Sequence, residues 1–212
     1  MRFRDRIDAG RRLGDGLQAL RGPDVVVLGL PRGGVPVAAE VARALDAPLD
    51  VIVVRKVGVP GRRELAMGAV GEGGVQVVDE RVLALAHVPP EDFAEAGRRE
   101  RDAVDECVRR FRGGHPALAL DGRVAVLVDD GIATGSTARA ACAVARAMGA
   151  ARVVLAAPVG ARESLRALAA VADEVVCLHA PRQFAAVGQF YDDFSATEDG
   201  EVLELLRAAR SR

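Results

Sequence analysis

The chain has 212 residues and a formal net charge of −1, which suits one α/β domain and argues against a nucleic-acid-binding surface. Its three cysteines and three histidines lack the spacings of a disulfide framework or a zinc site. The first residues are not apolar and no apolar stretch reaches ~18 residues, so we expect a cytoplasmic protein that binds no membrane. Among the 29 basic residues, Lys56 is the only lysine.

In chain order, the apolar pattern alternates between helix and strand. Helices are predicted at 5–20, 35–45, 91–112, 136–148, 163–171 and 197–209. Strands are predicted at 24–30, 49–55, 75–78, 123–128, 152–158 and 174–178. This alternation predicts an α/β fold with a mostly parallel central sheet flanked by helices, here as one domain over residues 1–212. Ligands bind such sheets at the carboxyl ends of the strands, so the loops there hold the candidate site.

The strongest functional signal is the segment 126–137, with the sequence VLVDDGIATGST. A buried strand ends in Asp129 and Asp130, and a turn of glycine and hydroxyl residues opens the next helix. Amides at a helix N-terminus attract phosphate, and ionised carboxylates accept hydrogen bonds from vicinal ribose hydroxyls. The segment therefore indicates a sugar-phosphate site, although Asp-Asp-Gly alone would also fit a capped helix with surface aspartates.

The segment resembles the motif with which type I phosphoribosyltransferases bind 5-phosphoribosyl 1-diphosphate (PRPP), and the other loops resemble those of a bacterial group of these enzymes. The resemblance implies transfer of ribosyl 5-phosphate from Mg-PRPP to a nitrogen base, with release of pyrophosphate, and a homodimer. It gives Asp129 and Asp130 a catalytic role in orienting the ribose and a share in binding Mg²⁺. The PRPP-binding residues that it implies are Asp129, Asp130, Gly131, Ile132, Ala133, Thr134, Gly135, Ser136 and Thr137.

The resemblance also implies a pyrophosphate-binding site on two earlier segments. Its residues are Pro31, Arg32, Gly33, Gly34, Arg55 and Lys56. Paired glycines permit unusual backbone geometry, and the guanidinium of Arg32 suits a bidentate phosphate contact. The compact charge of Lys56 suits the leaving diphosphate, so both cations are catalytic candidates.

Residues 58–72 lie where the family has a flexible catalytic lid that excludes water from the activated ribose. Glu64 in this stretch is a candidate catalytic acid–base group, and Glu72 is a weaker one. Residues 80–118 form a helical insert that is longer than in minimal family members.

Residues 179–196 correspond to the family's hood over the base. Phe184, Phe190 and Tyr191 are the candidate base-binding residues, because aromatic rings stack on planar bases. Hypoxanthine–guanine enzymes carry an acid–base aspartate where this chain has Ala133, so the sequence disfavours a 6-oxopurine acceptor.

Two other functions fit parts of the pattern. A regulator on the same fold would bind PRPP or a nucleotide without turnover. A sugar-phosphate hydrolase would need a water-activating base, and none is evident. The chain contains neither GxxxxGK[ST] nor GxGxxG, so an ATP or dinucleotide site loses its main support.

Overall fold

The computed structural model describes residues 1–211, apart from the side chains of Arg63, Glu64 and Pro90. In this part of the chain the α-helices are α1 (Arg6–Gly16), α2 (Gly34–Leu45), α3 (Glu80–Ala86), α4 (Pro90–Arg112), α5 (Ser136–Ala147), α6 (Arg162–Leu168) and α7 (Asp199–Arg210). The strands are β1 (Val25–Gly29), β2 (Leu49–Val51), β3 (Val54–Val59), β4 (Arg62–Gly71), β5 (Gln76–Val78), β6 (Val124–Val128), β7 (Arg152–Val159) and β8 (Glu174–His179).

The central sheet has the strand order β2-β1-β6-β7-β8, and every neighbouring pair is parallel. From β1 the chain continues outward to β2, whereas from β6 it continues in the opposite direction through β7 to β8. The switch point therefore lies between β1 and β6, whose last residues Gly29 and Val128 are in register. Ligands of open α/β sheets bind at this point, outside the carboxyl ends of the strands. The predicted parallel α/β fold is confirmed.

Both faces of the central sheet are buried, which explains the continuous apolar runs of its strands. Along β1, Val25 and Val27 pack on the side of α1, α2 and α7. Val26 and Leu28 pack on the opposite side, against α5 and α6.

The sequence pattern predicts one strand at 49–55, but the structure divides this segment between β2 and β3. The pattern also predicts a long loop at 56–72 with short strands at its far end, whereas most of this stretch belongs to β3 and β4. The chain leaves the central sheet after β2, and β3, β4 and β5 form a separate antiparallel sheet. Ile52 and Val53 continue the apolar run through this change of sheet and hide it from the sequence pattern. A tight turn with Gly61 at φ 75° joins β3 to β4. The short strand predicted at 75–78 is confirmed as β5.

The insert at 80–118 consists of two helices rather than one. Asp79 caps α3 by accepting a hydrogen bond from the amide of Val82 at 3.1 Å. The much longer α4 packs against β3, β4 and α7 and ends at Gly113, where φ is 57°. Within residues 1–211, no helix has both the length and the apolar character needed to cross a bilayer.

An interior ion network ties the insert to both sheets. The Nε of Arg112 donates to both carboxylate oxygens of Asp50 in β2, at 3.2 and 3.1 Å. Its Nη1 pairs with Glu72, which follows β4, and its Nη2 donates to the carbonyl of Val51 at 2.9 Å. Glu72 is thus a buried partner of Arg112, and this position does not support the weaker acid–base prediction for it.

Candidate functional site

The loop after β6 carries the adjacent carboxylates of Asp129 and Asp130 at the switch point of the sheet. It ends at Gly135, whose φ of 73° precedes the first residue of α5, Ser136. A residue with a side chain would be strained at this φ, so glycine is required for the turn into the helix. The first amides of α5 have no helical partner, and their dipoles favour an anion there.

Hydrogen bonds and close packing hold the backbone of this loop. Ile132 is 2% exposed, and its amide donates to the carbonyl of Val159 at 2.9 Å. Ser164 donates from Oγ to the carbonyl of Ala133 at 2.6 Å. A Cβ at position 131 would overlap the side chain of Val187, so Gly131 lets the loop and the hood segment approach. Ile132 and Gly131 therefore fix the backbone shape of the loop after β6.

The hydroxyl residues of the loop lie on its open side. Thr134 Oγ1 and Ser136 Oγ are 3.1 Å apart, and both residues are partly or fully exposed. Thr137 lines a cavity of about 100 Å³ together with Pro31 and Arg55. The structure thus brings the predicted phosphate loop and part of the predicted pyrophosphate site together.

The loop between β1 and α2 lies directly against the acidic pair. A Cβ on Gly33 would overlap Oδ2 of Asp130, and a Cβ on Gly34 would come within 3.0 Å of the Cα of Asp129. Gly33 has a φ of −59°, which any residue adopts. The two glycines are therefore needed for space rather than for an unusual backbone conformation. The peptide bond between Pro31 and Arg32 is cis.

The guanidinium of Arg32 lies at the start of α7. Its Nη1 is 3.5 Å from Asp199, which also pairs with Arg110 at 2.8 Å. The side chain of Arg32 is 51% exposed. Its contact with a diphosphate stays a prediction, and that contact would replace the one with Asp199.

Arg55 and Lys56 are neighbours in β3 rather than residues at a loop, so their side chains leave opposite faces of the strand. Arg55 donates from Nε to Glu100 of α4 at 2.8 Å. Lys56 lines a groove of about 840 Å³ between the second sheet and α5, and Ser136 and Arg139 line it too. Each member of the pair therefore shares a cavity with the start of α5, Lys56 with Ser136 and Arg55 with Thr137. The side chain of Glu64, the other catalytic candidate of this hairpin, lies outside the described residues.

The acidic pair is electrostatically asymmetric. Burial, reinforced by the charge of Asp130, raises the pKa of Asp129 from 3.8 to about 8. Burial also raises the pKa of Asp130, but Arg6 opposes that shift. Both Nε and Nη2 of Arg6 lie 2.9 Å from Oδ2 of Asp130. The sequence pattern missed Arg6, since nothing local distinguishes one arginine of α1 from the others.

Two aromatic residues of the hood segment, Phe190 and Tyr191, are anchored rather than open. Tyr191 is 2% exposed, its ring centroid is 5.5 Å from that of Phe3, and its hydroxyl donates to the carbonyl of Asp130 at 2.6 Å. Phe190 is 9% exposed and stacks at 5.6 Å on Phe184. The structure does not bring Phe190 or Tyr191 to an open face, so base stacking by either stays a prediction that requires the hood to move. Phe184 is more accessible.

The residues before α1 hold the hood segment by backbone hydrogen bonds. The amide of Phe3 donates to the carbonyl of Phe190, and the amide of Asp192 donates to the carbonyl of Phe3, both at 2.8 Å. The amide of Asp193 donates to the carbonyl of Arg4 at 2.8 Å. The sequence gives no local signal of this contact between the two ends of the domain.

The acidic pair fits a magnesium ion only in part. Carboxylates are the hard oxygen ligands that Mg²⁺ prefers, but Oδ2 of Asp130 is already paired with Arg6. Among the described residues, no cluster of three or more His, Cys, Asp or Glu side chains could form a complete metal site. The donors therefore suit an ion that arrives with most of its ligands on a bound diphosphate and water.

A family model for the phosphoribosyl transferase domain matches residues 8–195. The chain belongs to the phosphoribosyl transferase family. The match includes both loops at the switch point and most of the hood segment, so the resemblance found in the sequence is confirmed.

Known relatives of this phosphoribosyl transferase domain agree. Two Mycobacterium tuberculosis strains have a protein provisionally named as a phosphoribosyl transferase, which is 53% identical over 207 residues. The alignment covers 98% of this chain and 47% of the relative, so the chain spans about half the length of the curated relatives it matches. A crystal structure from Thermus thermophilus has a TM-score of 0.91 and 47% identity, and the alignment covers 97% of this chain and 98% of that one. An Aquifex aeolicus structure with 11% identity and a TM-score of 0.52, covering 86% of this chain and 76% of its own, shares the fold.

Proposed function

We propose that this phosphoribosyl transferase domain transfers ribosyl 5-phosphate from Mg-PRPP to a nitrogen base and releases pyrophosphate. The observation that carries the proposal is the loop of residues 129–137 at the switch point. Its two carboxylates lie at one end and the open amides of α5 at the other, with the Gly33-Gly34 loop beside the carboxylates.

The 5-phosphate fits the α5 end of the loop. The helix start attracts an anion, and Thr134, Ser136 and Thr137 supply hydroxyl donors. The ribose fits the other end, where Asp129 and Asp130 accept hydrogen bonds from its vicinal hydroxyls. Binding the 5-phosphate and the ribose in this way would fix the anomeric carbon between the two loops. Binding energy would thus be used to orient the reacting carbon.

The diphosphate would leave toward the β1–α2 loop. In the transfer, the bond from C1 to the diphosphate oxygen breaks and its electron pair leaves with pyrophosphate. The base nitrogen forms the new bond to C1 with inversion and gives up its proton to solvent. The acidic pair would help to hold a magnesium ion that arrives with the diphosphate, and the ion would supply positive charge for the leaving group. Lys56 and Arg32 would add positive charge there. This charge would stabilise the negative charge that the departing diphosphate acquires in the oxocarbenium-like transition state.

The acceptor base would lie under the hood, near Phe184. Ala133 provides no acid–base group for a 6-oxopurine, so we propose an acceptor outside that class. The hood segment would have to open for entry, since Tyr191 and Phe190 are packed in the present arrangement.

The decisive experiment measures thermal stability with and without Mg-PRPP, for the wild type and for Asp129→Asn/Asp130→Asn. Ligand at a hundredfold its Kd stabilises by ~2.7 kcal/mol, which corresponds to roughly 5–10 °C in Tm for a protein of this size. The double variant should show no shift, whereas Asp105→Asn, at an exposed position of α4, should shift like the wild type. Absence of a wild-type shift at millimolar PRPP would refute the proposal.

A second measurement separates transfer from sensing. Pyrophosphate release is followed with Mg-PRPP and a panel of purine, pyrimidine and pyridine bases. We expect release that depends on one class of base. Binding of Mg-PRPP without base-dependent release across the panel would instead identify a PRPP-sensing domain.

A further inference from the structure

Arg6 joins three parts of the candidate site. Its Nε and Nη2 donate to Oδ2 of Asp130, and its Nη1 donates to the carbonyl of Ser195 in the hood segment at 2.7 Å. Its guanidinium carbon lies 4.0 Å from the ring centroid of Phe194. The side chains of Arg6 and Asp130 are only 12% and 14% exposed, so this pair is shielded from solvent.

The carboxylate of Asp130 is fixed from both sides. Arg6 donates to Oδ2 on one side. On the other side the backbone at Gly33 lies so close that a Cβ there would overlap this oxygen. Both donors of Arg6 reach the same oxygen, which leaves Oδ1 outside the ion pair. Oδ1 is thus the oxygen available to a ribose hydroxyl.

We propose that Arg6 is a positioning residue of the ribose site: it holds the carboxylate of Asp130 for the ribose hydroxyls and couples that orientation to the closed hood. The inference rests on the proposed function, because it concerns the same PRPP site. Arg6 touches no substrate in it and acts through Asp130.

Charge supports the same role. Asp129 and Asp130 are adjacent carboxylates, and the guanidinium of Arg6 pairs with the second of them. The opposite charge makes the hydrogen bonds from Arg6 to Asp130 charge-assisted, so they hold the carboxylate more strongly than neutral donors would.

The test compares Arg6→Gln and Arg6→Lys with a matched control on the same helix, Arg12→Gln. Arg12 also pairs with an aspartate, Asp8, at 2.9 Å, and lies over an aromatic ring, that of Phe3, whereas the cation paired with Asp130 is Arg6. The Kd for Mg-PRPP is measured by titration calorimetry at pH 7. Circular dichroism checks that each variant is folded.

We expect Arg6→Gln to weaken Mg-PRPP binding about 10- to 100-fold at pH 7, as loss of charge-assisted hydrogen bonds does. Arg6→Lys should recover part of the affinity, because it restores a charged donor to Asp130, and Arg12→Gln should match the wild type. A wild-type Kd in Arg6→Gln, or an equal loss in Arg12→Gln, would overturn the proposal.

A second readout does not depend on PRPP. The carbon-13 NMR signal of the Asp130 carboxyl is recorded in the ligand-free protein, with Asp130→Asn used to assign it. We expect its chemical shift to change in Arg6→Gln, which removes both donors to Oδ2, and to stay unchanged in Arg12→Gln. If the wild type fails to bind Mg-PRPP, the proposed function fails, and an unchanged Asp130 signal in Arg6→Gln overturns the positioning role as well.

Discussion

Arg112 and Asp50 form an ion pair in the interior, with Nε of the arginine 3.1 Å from Oδ2 of the aspartate and both side chains at most 5% exposed. The pair joins the end of α4 to β2. Glu72 adds a second carboxylate to the same guanidinium. The network therefore links the helical insert, the central sheet and the second sheet at one point.

Replacing Arg112 by methionine should destabilise the fold strongly. The change leaves Asp50 and Glu72 as uncompensated buried carboxylates, and breaking a buried pair costs about 3–5 kcal/mol. Denaturant unfolding at pH 7 measures the loss. Arg109→Met, at an exposed position of the same helix, should unfold like the wild type. Equal stability of the two variants would show that the network contributes nothing net.

Replacing Gly33 by alanine should remove Mg-PRPP binding while the protein stays folded. The new methyl group overlaps Oδ2 of Asp130 and displaces the carboxylate from the ribose position. Overpacking of this kind costs about 1–3 kcal/mol of stability. The thermal shift with Mg-PRPP measures binding, and Gly200→Ala, where nothing lies within 4 Å of the added methyl, is the control. A wild-type thermal shift in Gly33→Ala would mean that Mg-PRPP binding does not depend on the present position of the Asp130 carboxylate.

Replacing Lys56 by methionine should lower kcat for pyrophosphate release about 100-fold or more, the usual loss when one group that stabilises transition-state charge is removed. Lys56→Arg should fall between this variant and the wild type, since it keeps the charge but not the compact ammonium. Steady-state kinetics on the full chain measure the effect. The control is Arg62→Met, at an exposed position of the same hairpin. Unchanged kcat in Lys56→Met would exclude the lysine from the transfer step.

Replacing Asp129 by asparagine should stabilise the ligand-free protein at pH 8. The pKa of Asp129 is raised to about 8 in the fold, so ionising it costs stability as pH rises from 3.8 toward 8. Asparagine removes that cost, and its Oδ1 can still accept the hydrogen bond that the amide of Asp130 donates to Oδ1 of Asp129 at 2.9 Å. The gain over the wild type should therefore grow between pH 5 and pH 8.

Asp173→Asn should change the stability near neutral pH in the opposite direction, and it serves as the comparison. Hydrogen bonds from Val153 and Arg146 lower the pKa of Asp173, so its ionised form contributes stability at neutral pH that is lost on acidification. This variant should be less stable than the wild type at pH 7 and equal to it in acid. Thermal melts over the pH series check both variants, and a pH-independent difference for Asp129→Asn would rule out its raised pKa.

The central sheet and its two ligand loops follow from local sequence. A strand buried on both faces needs an unbroken apolar run, and the turn into α5 needs glycine at position 135. Of the second sheet only β5 could be predicted, because Ile52 and Val53 continue the apolar run of β2 while the chain changes sheets.

Arg6 could not be predicted for a different reason. It meets Asp130 across 124 residues of sequence, and 28 arginines give no hint of which one makes that contact. The same holds for Phe3, whose pairing with the hood segment depends on the folded position of both chain segments. Contacts of this kind follow from tertiary packing rather than from local pattern.

The second sheet shares no strand with the central sheet, so the site rests on two hydrogen-bonded ladders rather than one. The acidic pair follows a strand of the first ladder and Lys56 belongs to the second. A shift of one ladder against the other changes the distance from the lysine to the phosphate loop without breaking a backbone hydrogen bond inside either sheet. In the proposed transfer, the geometry of charge around the leaving group could thus be tuned by side-chain packing alone.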